Sequence, residues 1–349
     1  MANILLPLEQ HLETLATSKP DKFADQHTNY FRRYQSLVDN LRRHVYRNIN
    51  AGLSSLSKSP GLYTDHGERH FDEVVRYAGL ILEGSFDSLE PFELYVLLCA
   101  IRIHDAGNID GRDEHERRTS SILREYGGDI KNDSAELKMI ADIAQAHGGH
   151  TVDKHDKDTI GALKEVAGVG PIIVKQRLIA ALVRFSDEIC EHYSRASTHN
   201  LNAANVIDTS MLFQLYAKSI QTASPNKLNK SFNITYSFDV ALFKNKYKTP
   251  TGEEKYLIDD VLDRIDKLNH ERVYTNRFLL PQMQTERIEI AMEFYSNKQL
   301  NGSDFQQIVC DSKKWSIYDQ GYPSVASTWK EKDLNGVNGV NFAAKVWLS

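Results

Sequence analysis

The chain has 349 residues, a formal net charge of -5 at pH 7, 41% hydrophobic residues and 26% charged residues. These values are ordinary for a globular protein with a substantial core, and the length favours two domains over one large one. The acidic balance argues against general coating of nucleic acid, which favours a basic surface, although a local basic groove stays open.

Cysteine usage and the N-terminal sequence bear on where the protein works. The three cysteines, Cys99, Cys190 and Cys310, are widely spaced, and the first two fall inside apolar helical patterns. We therefore expect buried, reduced thiols, which fit a reducing cytosol. Residues 1–15 contain neither a basic region nor a long apolar stretch, so we expect no signal peptide. No run approaches the about 20 apolar residues of a membrane helix. These features predict a cytoplasmic protein.

Residues 1–58 are predicted to form amphipathic helices that pack on the domain after them. Within 31–53, apolar side chains recur at the i, i+3, i+4 spacing of one helical face. A polar loop at 57–61 follows this segment.

Residues 59–200 are predicted to be helical as well. Polar capping residues, prolines and glycines separate successive apolar patterns. The predicted helices lie at about residues 66–82, 92–103, around 120–123, 134–147 and 171–192. Between the last two, residues 148–170 form a polar loop region.

The pattern changes after about residue 200. Residues 231–243 are rich in aromatic and branched side chains and partly alternate, and residues 286–295 alternate throughout, so both predict strands. Residues 253–274, between them, have the spacing of an amphipathic helix. This order predicts a smaller α+β module at about 205–297. All three tryptophans lie in the last fifty residues, which favours an ordered segment there.

Histidine is concentrated in the predicted helical domain. Nine of the thirteen histidines fall between His66 and His199, a moderate enrichment. His66 and His70 are spaced i, i+4 and share one helical face, which is a common ligand spacing for a single metal. Taken alone, such a pair is more often structural.

The doublet His104-Asp105 closes an apolar run that begins near Leu94. Buried charged groups of this kind are unfavourable unless something compensates them. A metal ion is a common compensation where further ligands are available. His115, His147 and Asp187 provide them downstream.

Four motifs in one order carry a family resemblance. They are HGERHFDEVVRYAGLIL at 66–82, LCAIRIHDAGN at 98–108, AHG at 146–148 and LVRFSDEI at 182–189. Together they resemble the HD superfamily of metal-dependent phosphohydrolases, over about residues 62–196. The family pattern is a lone His followed four residues later by an aliphatic residue, an adjacent His-Asp and a distal Asp. His70, His104-Asp105 and Asp187 match it.

The resemblance implies a mainly α protein, with an HD-type helical bundle around a metal site and a smaller α+β C-terminal module. It assigns the first metal to His70, His104, Asp105 and Asp187. Many members hold a second metal through two later histidines, and His115 and His147 occupy suitable places, with Asp105 bridging. Two alternatives to metal binding stay open. In one, His115 is a solvated residue at a helix start. In the other, His147 lies at a helix C-terminus, where the helix dipole stabilises it.

One or two divalent ions are the expected cofactors. Imidazole with carboxylate favours Mn, Fe, Co, Ni or Zn over Ca, with Mg also open. Such an ion lowers the pKa of bound water and polarises a phosphoryl oxygen. The candidate catalytic residues are Asp105, His115 and Arg112, with Arg112 as the phosphate contact. Arg69 and Arg184 are alternatives that also fit surface or ion-pair roles.

We predict a metal-dependent phosphohydrolase that cleaves a phosphate ester or anhydride of a nucleotide with metal-activated water. The preference for a dNTP or NTP comes from the family resemblance, as does an expected role in antiviral defence or nucleotide signalling. Manganese is one of the ions expected at the site. Two alternatives stay open. One is a nucleotide-sensing or protein-binding HD scaffold with a structural metal, and the other is a metal-dependent nuclease or phosphodiesterase.

Three segments are predicted: helices at 1–58, the HD phosphohydrolase domain at 59–200 and the accessory module at 201–349. The expected partner is a nucleotide substrate, and no membrane partner is expected. The accessory module is either a structural or oligomerising unit or a regulatory one that binds an effector nucleotide or a partner protein. The sequence leaves a homo-oligomer open.

Overall fold

The structure is a computed structural model. It describes residues 5–56, 64–151, 156–197, 201, 206, 208–249, 251–299, 305–318, 334 and 336–347. The described residues divide into two compact units. Unit 1 contains those of Met1–Pro60, Asp65–Cys190 and Tyr274–Gln284, and unit 2 contains those of Gly61–Thr64, Glu191–Val273 and Thr285–Ser349.

Unit 1 is built mainly of helices. They are α1 (Pro7–Ser18), α2 (Tyr30–Leu41), α3 (Arg47–Leu56), α4 (Glu68–Leu82), α5 (Pro91–Ile103), α6 (Thr119–Tyr126), α7 (Ser134–Gln145) and α8 (Gln176–Glu188). A π-helical turn, Arg42–Tyr46, joins α2 to α3. The antiparallel strands β1 (Ala167–Val169) and β2 (Ile172–Val174) precede α8.

Helix α5 is the centre of unit 1. Each of its residues is buried, as expected for a helix that is apolar on nearly all sides. Pro91 occupies the first turn, where its missing N–H costs nothing, and Glu90 and Glu93 form a capping box. Helices α1, α2, α4, α7 and α8 pack around it. The helix therefore holds the His104-Asp105 doublet, at its C-terminal end, inside the bundle.

The start of α8 differs from the prediction. The sequence pattern placed a helix from Pro171, but residues 172–174 form β2 and the helix begins at Gln176. Gly170 adopts a φ of 55°, which turns the chain back into a hairpin. The β-branched run Ile172-Ile173-Val174 then fits a strand better than a helix start.

Gly52 of α3 packs against the backbone that follows the doublet. A Cβ at this position would overlap the Ile109 carbonyl and lie 2.6 Å from the Asn108 oxygen. We expect Gly52→Ala to destabilise the protein by about 1–3 kcal/mol through overpacking, although alanine forms helix better than glycine by about 1 kcal/mol. Urea unfolding measures this. The matched control is Gly79→Ala in α4, where the new Cβ would make ordinary contact with Leu8. Equal stability of the two variants contradicts the prediction.

Unit 2 combines a sheet with helices. Its elements are α9 (Met211–Ser219), β3 (Ile220–Asn226), β4 (Ser231–Asp239), β5 (Lys246–Lys248), β6 (Glu254–Tyr256), α10 (Leu257–Asn276), β7 (Arg287–Gln299), β8 (Phe305–Tyr318) and α11 (Gly339–Ala344). The sheet order is β3-β4-β7-β8, with β4 and β7 parallel and the other pairs antiparallel. Strands β5 and β6 form a separate hairpin. The last residues of α10 and the segment after it, Tyr274–Gln284, belong to unit 1.

The predicted alternation in β4 and β7 is visible in the sheet. One face is buried and apolar, while the other is polar and partly exposed. The buried residues are Phe232, Ile234, Tyr236 and Phe238 of β4 and Ile288, Ile290, Met292 and Phe294 of β7. Trp347 adds its ring to this aromatic core, 5.3 Å from the ring of Phe294.

The predicted fold class is confirmed: the chain is mainly α, with a smaller α+β region towards its C-terminus. The predicted segment limits at 58 and 200, and the roles given to the C-terminal module, stay predictions. The predicted loop at 57–61 and Trp329 lie outside the described residues. Within the described ranges, no helix is both long enough and apolar enough to cross a membrane.

Candidate metal centre

The six predicted metal ligands lie at the ends of helices and in one turn of unit 1. They are His70 in the first turn of α4, His104 and Asp105 at the end of α5, His115 in the 3₁₀ turn His115–Arg118, His147 after α7 and Asp187 in the last turn of α8. Three of these helices thus bring their C-terminal ends to the site. Such ends carry partial negative charge, which favours a cation.

The first group of ligands is His70, His104 and Asp187, whose donor atoms lie within 4.8 Å of one another. The Asp187 Oδ1 atom is 3.3 Å from Nε2 of His70 and 3.4 Å from Nε2 of His104. Atoms bound to one ion at about 2.1 Å are separated by roughly 3.0–3.4 Å. The first group therefore has the spacing of ligands to a single ion.

The second group is Asp105, His115 and His147. The Oδ1 atom of Asp105 is 2.8 Å from Nε2 of His115 and 3.4 Å from Nε2 of His147. The other oxygen, Oδ2, is 3.7 Å from Nε2 of His70 and 4.0 Å from Nε2 of His104. The two oxygens of Asp105 thus face different groups, which is the arrangement expected of a bridging carboxylate.

Three of the histidines are oriented in the same way, with Nδ1 close to the backbone carbonyl three residues earlier. The pairs are His104 with Ile101 at 2.7 Å, His115 with Arg112 at 3.0 Å and His147 with Ala144 at 2.6 Å. A carbonyl accepts a hydrogen bond, so each Nδ1 carries the proton. In the neutral ring, Nε2 is then left as a lone pair directed at the site.

Buried polar atoms test whether a cation fits this site. Nε2 of His104, Nε2 of His115 and Oδ1 of Asp105 are buried, and no hydrogen bond reaches them from the residues that the structure describes. Lone pairs that face each other at such distances repel unless a cation or a proton lies between them, and buried polar atoms are nearly always satisfied. Because the donor set is imidazole and carboxylate, a divalent metal fits both groups.

Comparison with protein families matches residues 61–267, more than half of the chain, to HD-CE. The chain belongs to the HD-CE family. The resemblance to HD-domain proteins is therefore confirmed. The comparison with curated proteins gave no match, and the comparison with solved structures gave none either.

The HD domain and the two His/Asp groups together indicate a metal-dependent hydrolase that binds divalent metal. The HD-CE match runs beyond Cys190 and includes α9, β3–β6 and part of α10, so the family region is not confined to unit 1.

Neighbouring cationic groups set the pKa values of the two carboxylates in the HD-CE site. Burial raises the pKa of Asp105, but Arg112, His115 and His104 outweigh it and hold that pKa well below its usual range. Burial likewise raises the pKa of Asp187, and His104 and His70 hold it well below the usual range. Both carboxylates are therefore ionised at neutral pH, as metal ligands must be.

The pKa values of His104 and His147 shift in opposite directions. Burial lowers the pKa of His104, but Asp187 and Asp105 outweigh it and raise the pKa to about 9 when no metal is bound. Burial dominates at His147 and lowers its pKa. A metal must displace the proton of His104, so metal binding releases protons and weakens as the pH falls.

Arg112 is the predicted phosphate contact. Its side chain is 45% exposed, and Nη1 lies 3.6 Å from Oδ1 of Asp105. Nη1 also donates to Oδ1 of Asn108 at 3.4 Å. The guanidinium of Arg112 thus lies beside the predicted metal ligand Asp105 and is partly exposed to solvent, where a substrate can approach.

The other arginines named from the sequence differ. Arg184 is buried, donates to Oγ1 of Thr159 at 2.9 Å and stacks over the ring of Tyr274, which indicates a packing role. Arg69 is exposed. His66 is buried, with its ring 5.4 Å from that of His70.

Two residues beside the ligands were not found by the sequence analysis. Sγ of Cys190 is 3.9 Å from Nδ1 of His70. The carboxylate of Glu116 is 3.3 Å from Nδ1 of His115. One feature of the sequence pointed to Glu116 as a site residue: it directly follows His115, a predicted ligand. The surrounding sequence DEHERR, however, has the composition of a solvated loop.

Proposed function

We propose that the protein is a metal-dependent phosphohydrolase that cleaves a phosphate ester or anhydride of a nucleotide. The observation that supports it most is the division of Asp105 between two ligand groups, with the cationic Arg112 beside it. Two divalent ions held there would stabilise the negative charge that develops on the oxygens of a phosphoryl group. The nucleotide class rests on the likeness to HD phosphohydrolases.

Six residues of the site would hold the two metals. The first metal would be held by His70, His104, Asp105 and Asp187, and the second by Asp105, His115 and His147. Bound divalent ions lower the pKa of water and polarise a phosphoryl oxygen.

The chain itself supplies orientation and charge. The carbonyl contacts of the histidines fix the rings, so the ligand geometry exists before substrate binds. Burial of five of the six ligands keeps bulk water away, while Asp187, with 26% of its side chain exposed, is the ligand that faces outwards. Arg112 lies where it can bind substrate phosphate through two donors.

The test is a metal analysis of purified protein, followed by a nucleotide screen with Mn²⁺, Mg²⁺, Co²⁺, Ni²⁺, Fe²⁺ and Zn²⁺. Deoxynucleoside and ribonucleoside triphosphates, monophosphates and phosphodiesters are included, together with labelled single-stranded oligonucleotides. We expect release of phosphate, pyrophosphate or triphosphate from a nucleotide, and the product identifies the bond that breaks. Binding of metal and nucleotide without turnover under every metal overturns the proposal and favours a sensing scaffold. Turnover of oligonucleotides alone favours a nuclease.

Replacing Arg112 with methionine tests the phosphate contact. A hydrogen bond to a charged group contributes about 1.5–3 kcal/mol, so we expect kcat/KM to fall by about 10–100-fold. Arg112→Lys restores part of the loss, because it keeps the charge without the planar fork. Metal content should stay at the wild-type value. Arg117→Met is the control, since Arg117 pairs with Glu114 at 3.8 Å. An equal kcat/KM for Arg112→Met and the control removes Arg112 from substrate binding.

A further inference from the structure

His115 lies between two carboxylates. On one side, Nε2 is 2.8 Å from Oδ1 of Asp105. On the other, Nδ1 is 3.3 Å from Oε2 of Glu116, whose side chain is only 9% exposed. Nδ1 also bonds the Arg112 carbonyl, so Glu116 is a second acceptor for the same proton.

A buried carboxylate needs a specific reason, because removal of its charge from water is costly unless a partner compensates it. Within the described residues, the His115 ring lies within ion-pair distance of the Glu116 carboxylate and can compensate its charge. At His104 and His147 the Nδ1 atom faces a backbone carbonyl, and the carboxylates near these rings, within the described residues, lie at Nε2. A carboxylate at Nδ1 therefore distinguishes His115, a member of the second group, from His104 and His147.

Gly149 makes room for this carboxylate. Its φ is 70°, and a Cβ on it would overlap the Glu116 carboxyl group. Gly149 follows His147 by two residues, so Glu116 contacts the backbone just after one ligand of the second group while facing the ring of another. The two loops that carry His115 and His147 thus meet at Glu116.

We propose that Glu116 is a positioning residue that sets the affinity of the second metal, the one held by Asp105, His115 and His147. A carboxylate behind a ligating imidazole fixes the orientation of the ring and raises its basicity, and loss of such a partner weakens metal binding by about 10–100-fold. The inference rests on the proposed two-metal function. It assigns no role to Glu116 at the first metal.

The direct test is Glu116→Gln, which keeps the shape of the side chain and removes its charge. Titration of metal-stripped protein with Mn²⁺ in a calorimeter gives the affinity of each equivalent without any substrate. We expect the second equivalent to bind about 10–100-fold more weakly, and the first to change by less than about 2-fold. His147→Ala, which removes a ligand of the second group, identifies which equivalent belongs to it. Glu114→Gln is the matched control, because the Glu114 side chain is 59% exposed and pairs with Arg117.

A second variant displaces the carboxylate without altering it. Gly149→Ala pushes on Glu116 and also imposes a side chain on a backbone with positive φ. Gly84→Ala supplies the control, since Gly84 has a φ of 71° and nothing lies within 4 Å of its added Cβ. We expect Gly149→Ala to weaken the second equivalent and Gly84→Ala to leave both equivalents unchanged. Thermal unfolding of each variant checks that it folds.

The outcomes separate the two proposals. A wild type that binds a single metal contradicts the two-metal function and removes the inference with it. A wild type that binds two, with Glu116→Gln binding both as tightly, overturns the inference alone. Equal weakening of both equivalents also overturns it, because the effect then lacks the selectivity that the position of Glu116 demands.

Discussion

Replacing Asp105 with asparagine is expected to abolish turnover and to weaken both metals together. The substitution keeps the size of the side chain and one oxygen but removes the charge that faces both ligand groups. Loss of a partner behind a ligand costs about 10–100-fold in metal affinity or activity. Loss of the charge on a ligand shared by two ions should therefore lower metal affinity and activity by more than about 100-fold. Metal content by mass spectrometry and phosphate release from the best nucleotide measure the two effects.

The control is Asp110→Asn, an exposed carboxylate in the same loop. It should bind metal and turn over substrate like the wild type. Circular dichroism distinguishes loss of metal from loss of fold, since Asp105 also lies beside Arg112, His115 and His104. Wild-type metal content with lost activity would place Asp105 in catalysis without metal binding, and full activity would remove it from the site.

Asp187 provides a useful contrast to Asp105. Its Oδ1 lies near His70 and His104, which belong to the first group. Asp105 has one oxygen on each group, and the backbone after it is packed against Gly52. The two residues of the doublet therefore differ: His104 belongs to the first group, whereas Asp105 belongs to the second and directs its other oxygen at the first. The family resemblance implied a bridging role for Asp105, and the separation of its two oxygens is consistent with that role.

The sequence predicted the features that depend on local pattern. Apolar spacing gave helices α4, α5 and α7, and alternation gave strands β4 and β7, because each pattern reflects the face that the element buries. The family resemblance named six side chains, five of them inside the quoted motifs and His115 outside, and the structure brings their donor atoms into two neighbouring groups. The predicted helices and strands were correct because neighbours along the chain supply that information, whereas the metal-ligand roles of the six side chains stay predictions.

Features that depend on packing between distant segments could not be predicted from the sequence. Glu116 sits in a charged stretch that predicts exposure, yet Gly149 and His115 enclose it. The hairpin before α8 depends on the turn at Gly170, and Pro171 alone suggested a helix start. The burial of Glu116 gives no local signal, because the residues that enclose its carboxylate include Gly149, far along the chain.

Arg102 is another buried charge of this kind. It lies two residues before the doublet in α5 and is 1% exposed. Its guanidinium donates to the Tyr34 hydroxyl at 2.8 Å, to Asp72 at 2.5 Å and to Glu9 at 2.7 Å. Tyr34 in turn donates to Glu9 at 2.5 Å. These bonds join α5 to α1, α2 and α4, and two of the four helices, α4 and α5, carry metal ligands.

Arg102→Met should be the most destabilising of the substitutions considered. Removal of one partner from a buried ion pair costs about 3–5 kcal/mol, because the remaining charge is left buried without compensation. The control is Arg76→Met on α4, where a half-exposed arginine pairs with Glu73 and the expected loss is below about 1 kcal/mol. Urea unfolding measures both, and hydrogen exchange in α5 assigns the loss to unit 1. A loss no larger than that of the control would contradict the compensation argument.

The deficit of Arg102→Met should shrink as the pH falls. In the wild type, burial raises the pKa of Glu9, but Arg102, Tyr34 and the Leu6 backbone N–H outweigh it, so the pKa is lowered. This carboxylate thus contributes stability above the pKa of the unfolded chain, about 4.3, and loses it as the pH falls through the lowered folded value. Without Arg102, burial dominates and raises the pKa of Glu9, so the variant recovers stability when that carboxyl group takes up a proton. Unfolding at pH 7 and at pH 4.5 should therefore give a larger difference between wild type and variant at pH 7. A difference that is the same at both pH values would show that the buried Glu9 charge is not its cause.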